Sequence, residues 1–405
     1  MDTLLKEKLD IPTLSIVLLL VIIGLISMYS ATYDAGASYY FQRQLLWTGI
    51  GLLLMVSVML VPFRTLQLFS FPVYVVSLAF LLGVLVLGKT VAGAKSWYGF
   101  GTMGLQPAEF AKPATLLALA AYLSQRHVNV RRLKDLSIAL SIVLLPVALI
   151  VAQPDLGTAI IYLGMIIPIL YWAGASTFFL LAIVAPAAAV IAALFGTTAF
   201  VVVAILTFIL FFALRENRFV SAIVFSITVL IGISVQFIYG KLQPYQQKRI
   251  VTFLNPEADP LGAGYNVIQS KIAIGSGGIF GKGFLHGTQT QLNFIPAQWT
   301  DFIFCVPGEE FGFFGALLIL LLLAGLLIRG VQVASMVKND YASIVAIGIV
   351  STFAVHITVN IGMSMGLLPV IGVPLPFLSY GGSGLFTSMM MVGLLVNMYM
   401  NRKEY

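Results

Sequence analysis

The sequence predicts an all-α polytopic membrane protein, and three observations carry that expectation. Hydrophobic residues make up 60% of the 405 positions and charged residues 9%, whereas soluble domains run at roughly half apolar and a quarter charged. Mean hydropathy is +1.02. The apolar residues also gather into runs that suit the about 20 residues a helix needs to cross a bilayer. Counting them gives about twelve spans, at 12–30, 45–62, 68–88, 108–124, 136–152, 155–172, 177–195, 198–214, 219–239, 302–328, 343–365 and 383–400. The expectation is a single integral membrane domain over 1–405, with a large loop at 240–301 inside it.

Each element follows from its local residues. The first run comes after Lys6 and Lys8 and carries no small-residue cleavage signal, so it reads as a retained helix. Pro107 opens the fourth span, at a helical position that needs no N–H donor. Gln153-Pro154-Asp155 separates the fifth span from the sixth, where Asp155 suits a cap on the helix that follows. Within 240–301, apolar Val267, Ile268, Ile272 and Ile274 predict a short amphipathic helix from Tyr265 to Ile274, ended by Gly275-Ser276-Gly277-Gly278. The span 302–328 is interrupted near its start by Pro307, Glu309 and Glu310, and Glu309 would lie on roughly the same helical face as Asp301. Before the last span, Pro369, Pro374 and Pro376 forbid a regular helix and Ser379-Tyr380-Gly381-Gly382-Ser383-Gly384 allows close backbone approach. Irregular backbone at membrane depth is tolerated where it lines a cavity, so 366–382 reads as a re-entrant wall.

The net charge of +7 raises the question of nucleic acid, and its placement answers it. Lys6, Lys8, Arg64, Arg126, Arg131, Arg132, Lys134, Arg215, Arg218, Arg329, Lys338, Arg402 and Lys403 fall on one side of the alternating spans. Short loops on the other side carry only Arg43, Lys89 and Lys95. The positive-inside rule then puts both termini in the cytoplasm of an inner (cytoplasmic) membrane protein and turns 89–107, 240–301 and 366–382 outward. No nucleic-acid partner is implied.

Chemistry is expected where charge meets hydrocarbon. Asp301 ends the longest polar stretch just as an apolar span begins, and an ionised carboxylate there needs water, a partner or a task. Glu109 and Lys112 are three residues apart and share a helical face. With Lys95 and Trp97 in the loop before them, they read as lining a cavity. Asp155 and Lys271 join them as candidate substrate contacts. His127, His286, His356 and Cys305 show no metal-ligand spacing, the single cysteine excludes a disulfide framework, and the glycine run at 275–278 lacks the Lys-Ser/Thr of a P-loop.

Several stretches together resemble the SEDS family (shape, elongation, division and sporulation proteins), bacterial membrane polymerases of peptidoglycan. They are Gly93-Ala-Lys-Ser-Trp97, Gln106-Pro-Ala-Glu-Phe-Ala-Lys112, Gln153-Pro-Asp-Leu-Gly157, Pro256-Glu-Ala-Asp-Pro-Leu-Gly-Ala-Gly-Tyr-Asn266 and Gln269-Ser-Lys-Ile-Ala-Ile-Gly-Ser-Gly-Gly278. The likeness continues through Gly281-Lys-Gly-Phe-Leu-His-Gly-Thr-Gln289, Thr300-Asp-Phe-Ile-Phe304, Leu368-Pro-Val-Ile-Gly-Val-Pro-Leu-Pro376 and Ser379-Tyr-Gly-Gly-Ser383. His286-Gly-Thr-Gln-Thr-Gln291 points to the elongation branch.

The resemblance implies a glycosyltransferase that polymerises lipid II, with Asp301 catalytic and Trp97, Glu109 and Lys112 at positions tied to activity or to a central cavity. It implies a class B penicillin-binding protein as partner, within an elongation complex of membrane proteins and among membrane lipids. A lipid pyrophosphate leaving group needs cationic help, from Lys112, Lys95 or Lys271, or from a divalent cation such as Mg or Mn. Two departures stand out. The family has ten spans, so one hairpin within 173–239 is expected to be additional. The chain also reads Pro296-Ala-Gln-Trp-Thr-Asp301 where the family reads Pro-Glu-x-His-Thr-Asp. A flippase or transporter of lipid-linked precursors is the alternative reading, and a non-catalytic scaffold a weaker one. Small residues at Ala346, Gly348, Ser351, Ala354, Gly362, Ser364, Gly384 and Gly393 suggest that the last two spans form the partner's docking face.

Overall fold

The computed structural model describes residues 9–34, 36–91, 93–100, 103–214, 218–241, 247, 264–296 and 298–402. Long apolar runs become helices, and single prolines inside five of them (Pro72, Pro113, Pro146, Pro168 and Pro186) do not end them: α1 Ile11–Tyr33, α2 Ser38–Met59, α3 Phe63–Leu87, α4 Pro107–Leu123, α5 Leu133–Ala152, α6 Leu156–Trp172, α7 Thr177–Phe195, α8 Thr197–Ala213 and α9 Arg218–Lys241. The short α10 Tyr265–Ser276, α11 Thr288–Gln291 and α12 Cys305–Glu310 precede α13 Gly312–Met336, α14 Asp340–Ser364 and α15 Gly382–Met400. Among the described residues, nine helices have the length and composition to cross a membrane, while α6 and α8 are apolar but shorter. The protein is therefore a multi-pass membrane protein.

Two compact units divide the chain. One comprises Met1–Ile169 with Asn266–Tyr405, the other Leu170–Tyr265. The smaller holds α7 to α9, packed on a core of Phe178, Ala185 and Phe211. In the larger, α4, α14 and α15 are the interior: 15 of the 17 residues of α4 are buried, as is 72% of the apolar stretch of α14 and of α15, against 22% for α2, α3 and α13. Helix α15 packs along α2, α4 along α3, and α14 against both α4 and α13. This burial corrects the docking expectation. Added side-chain atoms at Gly348 would meet Leu116, and at Gly393 would come within 2.6 Å of the Met55 carbonyl. The small residues of the last two spans at these points let helices of this same chain approach.

Three further features depart from the sequence expectations or add to them. The loop after α3 folds as a three-stranded antiparallel sheet, β1 Lys89–Val91, β2 Ala94–Phe100 and β3 Met103–Leu105, in the order β1-β2-β3. The span expected at 302–328 starts instead at Gly312. Residues 298–304 are turns, α12 follows, and Gly312, at φ +62°, breaks the run before the long helix begins. Asp301 and Glu309 therefore do not share one helix face. The third feature fits the re-entrant wall: residues 365–381 are non-helical yet bury Val373, Leu375, Phe377 and Leu378. Most of the Pro256–Asn266 motif lies outside the described residues.

Candidate active site

Asp301 sits in the turn after Trp299 and is half-buried. Its main chain is fixed from three directions. Asn360 on α14 donates its amide nitrogen to the Asp301 carbonyl at 2.9 Å and to the Val373 carbonyl at 2.8 Å. Ser379 donates its hydroxyl to the Thr300 carbonyl at 2.6 Å and accepts from the Leu375 N–H at 2.8 Å. The Tyr380 N–H donates to the Trp299 carbonyl at 2.8 Å. The segment 299–301 and the irregular segment 373–380 are thus one stitched unit. Gln44 on α2 clasps its end, donating to the Ser379 carbonyl at 3.2 Å and accepting from Gly381 N–H at 3.3 Å. Gly372 has φ +72°, and a side chain there would stand 3.5 Å from the Asp301 carboxylate. Burial pushes the Asp301 carboxyl up to about 6 against a smaller opposing hydrogen bond from Thr300.

Beside this unit lies the buried ion pair. Lys112 and Glu109 meet at 2.8 Å with side-chain exposures of 1% and 7%. The Lys112 ammonium also lies 2.9 Å from His356 Nε2, and His356 Nδ1 lies 3.1 Å from the Pro374 carbonyl. An ammonium only donates and a carbonyl only accepts, so His356 takes a proton bond at Nε2 and gives one at Nδ1. Glu109 lies close to the same wall, since an atom built on Gly384 would be 3.8 Å from its carboxylate and 4.0 Å from Pro374. His356 and Asn360 are four residues apart on α14 and so share a face. Together they tie the ion pair and the Asp301 turn to consecutive residues of one wall.

The remaining candidates are placed differently. Asp155 caps α6, accepting from Thr158 N–H at 3.1 Å and its hydroxyl at 2.9 Å, as the sequence suggested. It also accepts from Gln106 Nε2 at 2.8 Å, which holds the start of α4. Trp97 packs its ring over Gly104 inside the sheet. The Lys95 ammonium is taken by the Val86 carbonyl at 2.9 Å, and Lys271 is exposed, its stem lying along Gly366. Neither lysine is joined to the Asp301 unit by a described bond.

The two glutamates of α12 are anchors. Glu309 is fully buried and accepts from Lys282 Nζ at 2.6 Å, from the N–H groups of Gln289 and Thr290 at 2.9 and 3.0 Å, and from Thr288 at 3.2 Å. Burial alone would raise its pKa, but the Gln289 amide, Lys282 and the Thr290 donors outweigh it and hold it below the usual carboxylate value. Glu310 accepts from Ser30 on α1 and from Gln291 Nε2 at 3.0 Å, and burial leaves its carboxyl raised.

Sequence reasoning missed Asn360 and Gln44, took Ser379 only as part of the irregular wall, and considered His356 only as a metal ligand. A detectable signal existed for two of them: a His and an Asn at i, i+4 in an otherwise apolar helix form an intramembrane polar pair that demands partners.

The chain matches the FtsW/RodA/SpoVE family of cell cycle proteins over residues 11–197 and 195–404. It belongs to that family. This is the SEDS family whose motifs the sequence carries, and the two matched stretches meet between α7 and α8. Among FtsW/RodA/SpoVE relatives, the peptidoglycan glycosyltransferase RodA of Treponema pallidum is 36% identical, over 93% of this chain and 94% of its own. The peptidoglycan glycosyltransferase MrdB of Escherichia coli K12 is 35% identical over 98% and 95%. Two solved family structures share the fold. One, from a peptidoglycan synthase complex that coordinates polymerization and crosslinking, gives a TM-score of 0.75 at 26% identity, covering 98% of this chain and 99% of the other. The Thermus thermophilus rod shape determining protein RodA gives 0.66 at 25%, covering 98% of each.

Proposed function

We propose that this chain is a peptidoglycan glycosyltransferase of the elongation type, polymerising lipid II on the outer face of the cytoplasmic membrane with Asp301 as general base. The observation that carries the reading is the Asp301 turn: a half-buried carboxylate, its backbone fastened to the 373–380 wall that also abuts Lys112 and Glu109. Relatives named peptidoglycan glycosyltransferase align with it nearly end to end.

A base with a pKa near 6 is ionised at neutral pH and still basic enough to share a proton in the transition state. Asp301 takes the proton of the acceptor's 4-hydroxyl as that oxygen bonds to the donor's anomeric carbon. The bond from that carbon to the lipid pyrophosphate breaks, and the electron pair leaves on the pyrophosphate. Lys112, held 2.8 Å from both Glu109 carboxylate oxygens and 2.9 Å from His356, is the buried cation that supports the developing charge. The placement of Lys95 and Lys271 favours Lys112 over either.

Among the described residues no cluster of three or more His, Cys, Asp or Glu side chains is arranged to hold a metal. A hard divalent cation, Mg or Mn, needs no such cage when phosphate oxygens complete its shell. Where one binds, the substrate's phosphate oxygens would supply most of its shell and it would neutralise pyrophosphate charge, leaving the Asp301 carboxylate to take the proton.

The transpeptidase partner we propose is a class B penicillin-binding protein, a reading supported by a structural relative from a peptidoglycan synthase complex that coordinates polymerization and crosslinking. The orientation read from the basic loops, with both termini cytoplasmic, belongs to the same proposal, as does an additional hairpin within 173–239. Asp301→Asn should leave the protein folded in detergent, by thermal melting, and abolish glycan strands made from purified lipid II. Full polymerisation by that variant would overturn the reading.

A further inference from the structure

At the end of α4 away from the ion pair lies a cavity of about 500 Å³, lined by Gln67 and Phe71 of α3 and by Ser124, Gln125, Arg126 and His127. Ala121, also in its lining, is twelve residues beyond Glu109, or about 18 Å along α4 at 1.5 Å per residue. This cavity belongs to a different end of the bundle from Asp301. Its volume falls in the about 300–1,000 Å³ of small-molecule sites.

Arg126 is the charged side chain of its lining, and the chain around it is one-sided in charge. The segment 121–135 carries Arg126, Arg131, Arg132 and Lys134 against one acid, Asp135. That acid is already engaged: it accepts from the Asn129 N–H at 3.0 Å and lies 3.5 Å from the Tyr122 hydroxyl. The bonds of Val128 N–H to Gln125 and Arg132 N–H to Asn129 complete a folded turn. Among the described residues Arg126 has no ion pair, and it is exposed on the cavity wall with His127. Directly beside the cavity, Leu68, Phe69 and Phe71 are 74%, 51% and 41% exposed on a helix apolar enough to cross the membrane. A ligand here meets a guanidinium and amide groups at one end and a lipid-facing apolar surface at the other.

We infer that this cavity is a binding site for the headgroup of an anionic phospholipid, its phosphate on Arg126 and its acyl chains along the exposed face of α3. An Arg–phosphate contact is charge-assisted and can be bidentate, and basic pockets between membrane helices are a recurrent form of headgroup site. In the orientation proposed above, the lipid belongs to the cytoplasmic leaflet. The site does not depend on Asp301 chemistry.

Titration of phosphatidylglycerol into the detergent-solubilised full-length protein, read by its thermal midpoint, tests this. Phosphatidylglycerol should raise the midpoint, whereas phosphatidylcholine and inorganic phosphate at equal concentration should not. Arg126→Gln should weaken the apparent affinity about tenfold, the loss of one such contact, with Arg126→Lys intermediate and Lys338→Gln, in another basic loop, without effect. Should Arg126→Gln fail to fold, Ser124→Phe keeps the charge and fills the cavity, and should abolish the shift. An equal response to phosphatidylcholine shows only a general lipid effect, and an equal response to phosphate shows a phosphate site. Either result, or wild-type affinity in both Arg126→Gln and Ser124→Phe, overturns the proposal.

Discussion

At the residue scale, the Asp301 carboxyl fixes the sign of a pH dependence. With a pKa raised to about 6, the base is present above that value and lost below it. The logarithm of kcat/KM for lipid II should therefore rise with unit slope up to pH of about 6 and then level off. A rate that is flat from pH 5 to pH 8 would remove Asp301 as the base. The neighbouring glutamates make a paired prediction. The lowered pKa of Glu309 contributes stability that is present above the ordinary carboxylate value and lost as pH falls through the depressed one. Glu310 has the opposite sign: its raised pKa favours the folded state below the ordinary value and loses that contribution as pH rises. At pH 7.5, Glu309→Gln should lower stability by about 1–3 kcal/mol, because it leaves Lys282 and the Gln289 and Thr290 amides short of a charged acceptor. Glu310→Gln should be neutral or stabilising. Equal losses in both, by thermal melting, would contradict the assignment.

At the scale of elements, α14 is the beam on which the site is mounted. Asn360→Ala leaves the Asp301 and Val373 carbonyls without their shared donor, at a cost of about 2–4 kcal/mol for two buried acceptors. Because the carboxylate then shifts against the acceptor, turnover should fall on the order of 100-fold while lipid II binding changes less. A KM effect with unchanged kcat would argue that Asn360 serves folding alone. Gly348→Leu makes a different element-level test. Its new side chain must displace Leu116 of α4, so the variant should lose thermal stability whether or not a partner is present.

The helices were largely legible, because run length and hydropathy are properties of consecutive residues. The break at Gly312 was not: a positive φ and the close contact of its backbone with Gly281 are tertiary facts that counting apolar residues cannot register. The clamp around Asp301 was hidden for a related reason. Asn360 and Ser379 are single polar residues in apolar or proline-rich surroundings, and they meet partners 59 and 79 positions away. Asp301, Glu109 and Lys112 were visible because charge in hydrocarbon is conspicuous at any distance.

For the whole molecule, the polar machinery gathers at one end of the larger unit: the 299–301 turn, the 373–381 wall, the Glu109–Lys112 pair and the α12 anchors. A transporter needs a path that opens to both leaflets, whereas a polymerase acting on exported lipid II needs one site. The purified protein in detergent, supplied with its transpeptidase partner, should still make glycan strands although no membrane remains to be crossed. Transport of lipid II in sealed vesicles without polymer in detergent would favour the flippase reading. A membrane helix of the transpeptidase partner proposed above would have to use surface that the mostly buried α14 and α15 do not offer. Crosslinks from exposed positions of α2, α3 or α13, such as Leu53, Val75 or Leu321, are the way to map it.

The grip of α14 and the wall on this turn falls on the main chain of Trp299, Thr300 and Asp301, through Asn360, Ser379 and Tyr380. The carboxylate takes a hydrogen bond from Thr300, but the clamp from α14 and the wall does not depend on it. A chain disarmed at this one side chain should therefore keep the turn, the wall and the cavity in their working shape, and hold donor and acceptor in place without joining them. The inactive protein would then be the form in which to capture the reactants side by side before the bond is made.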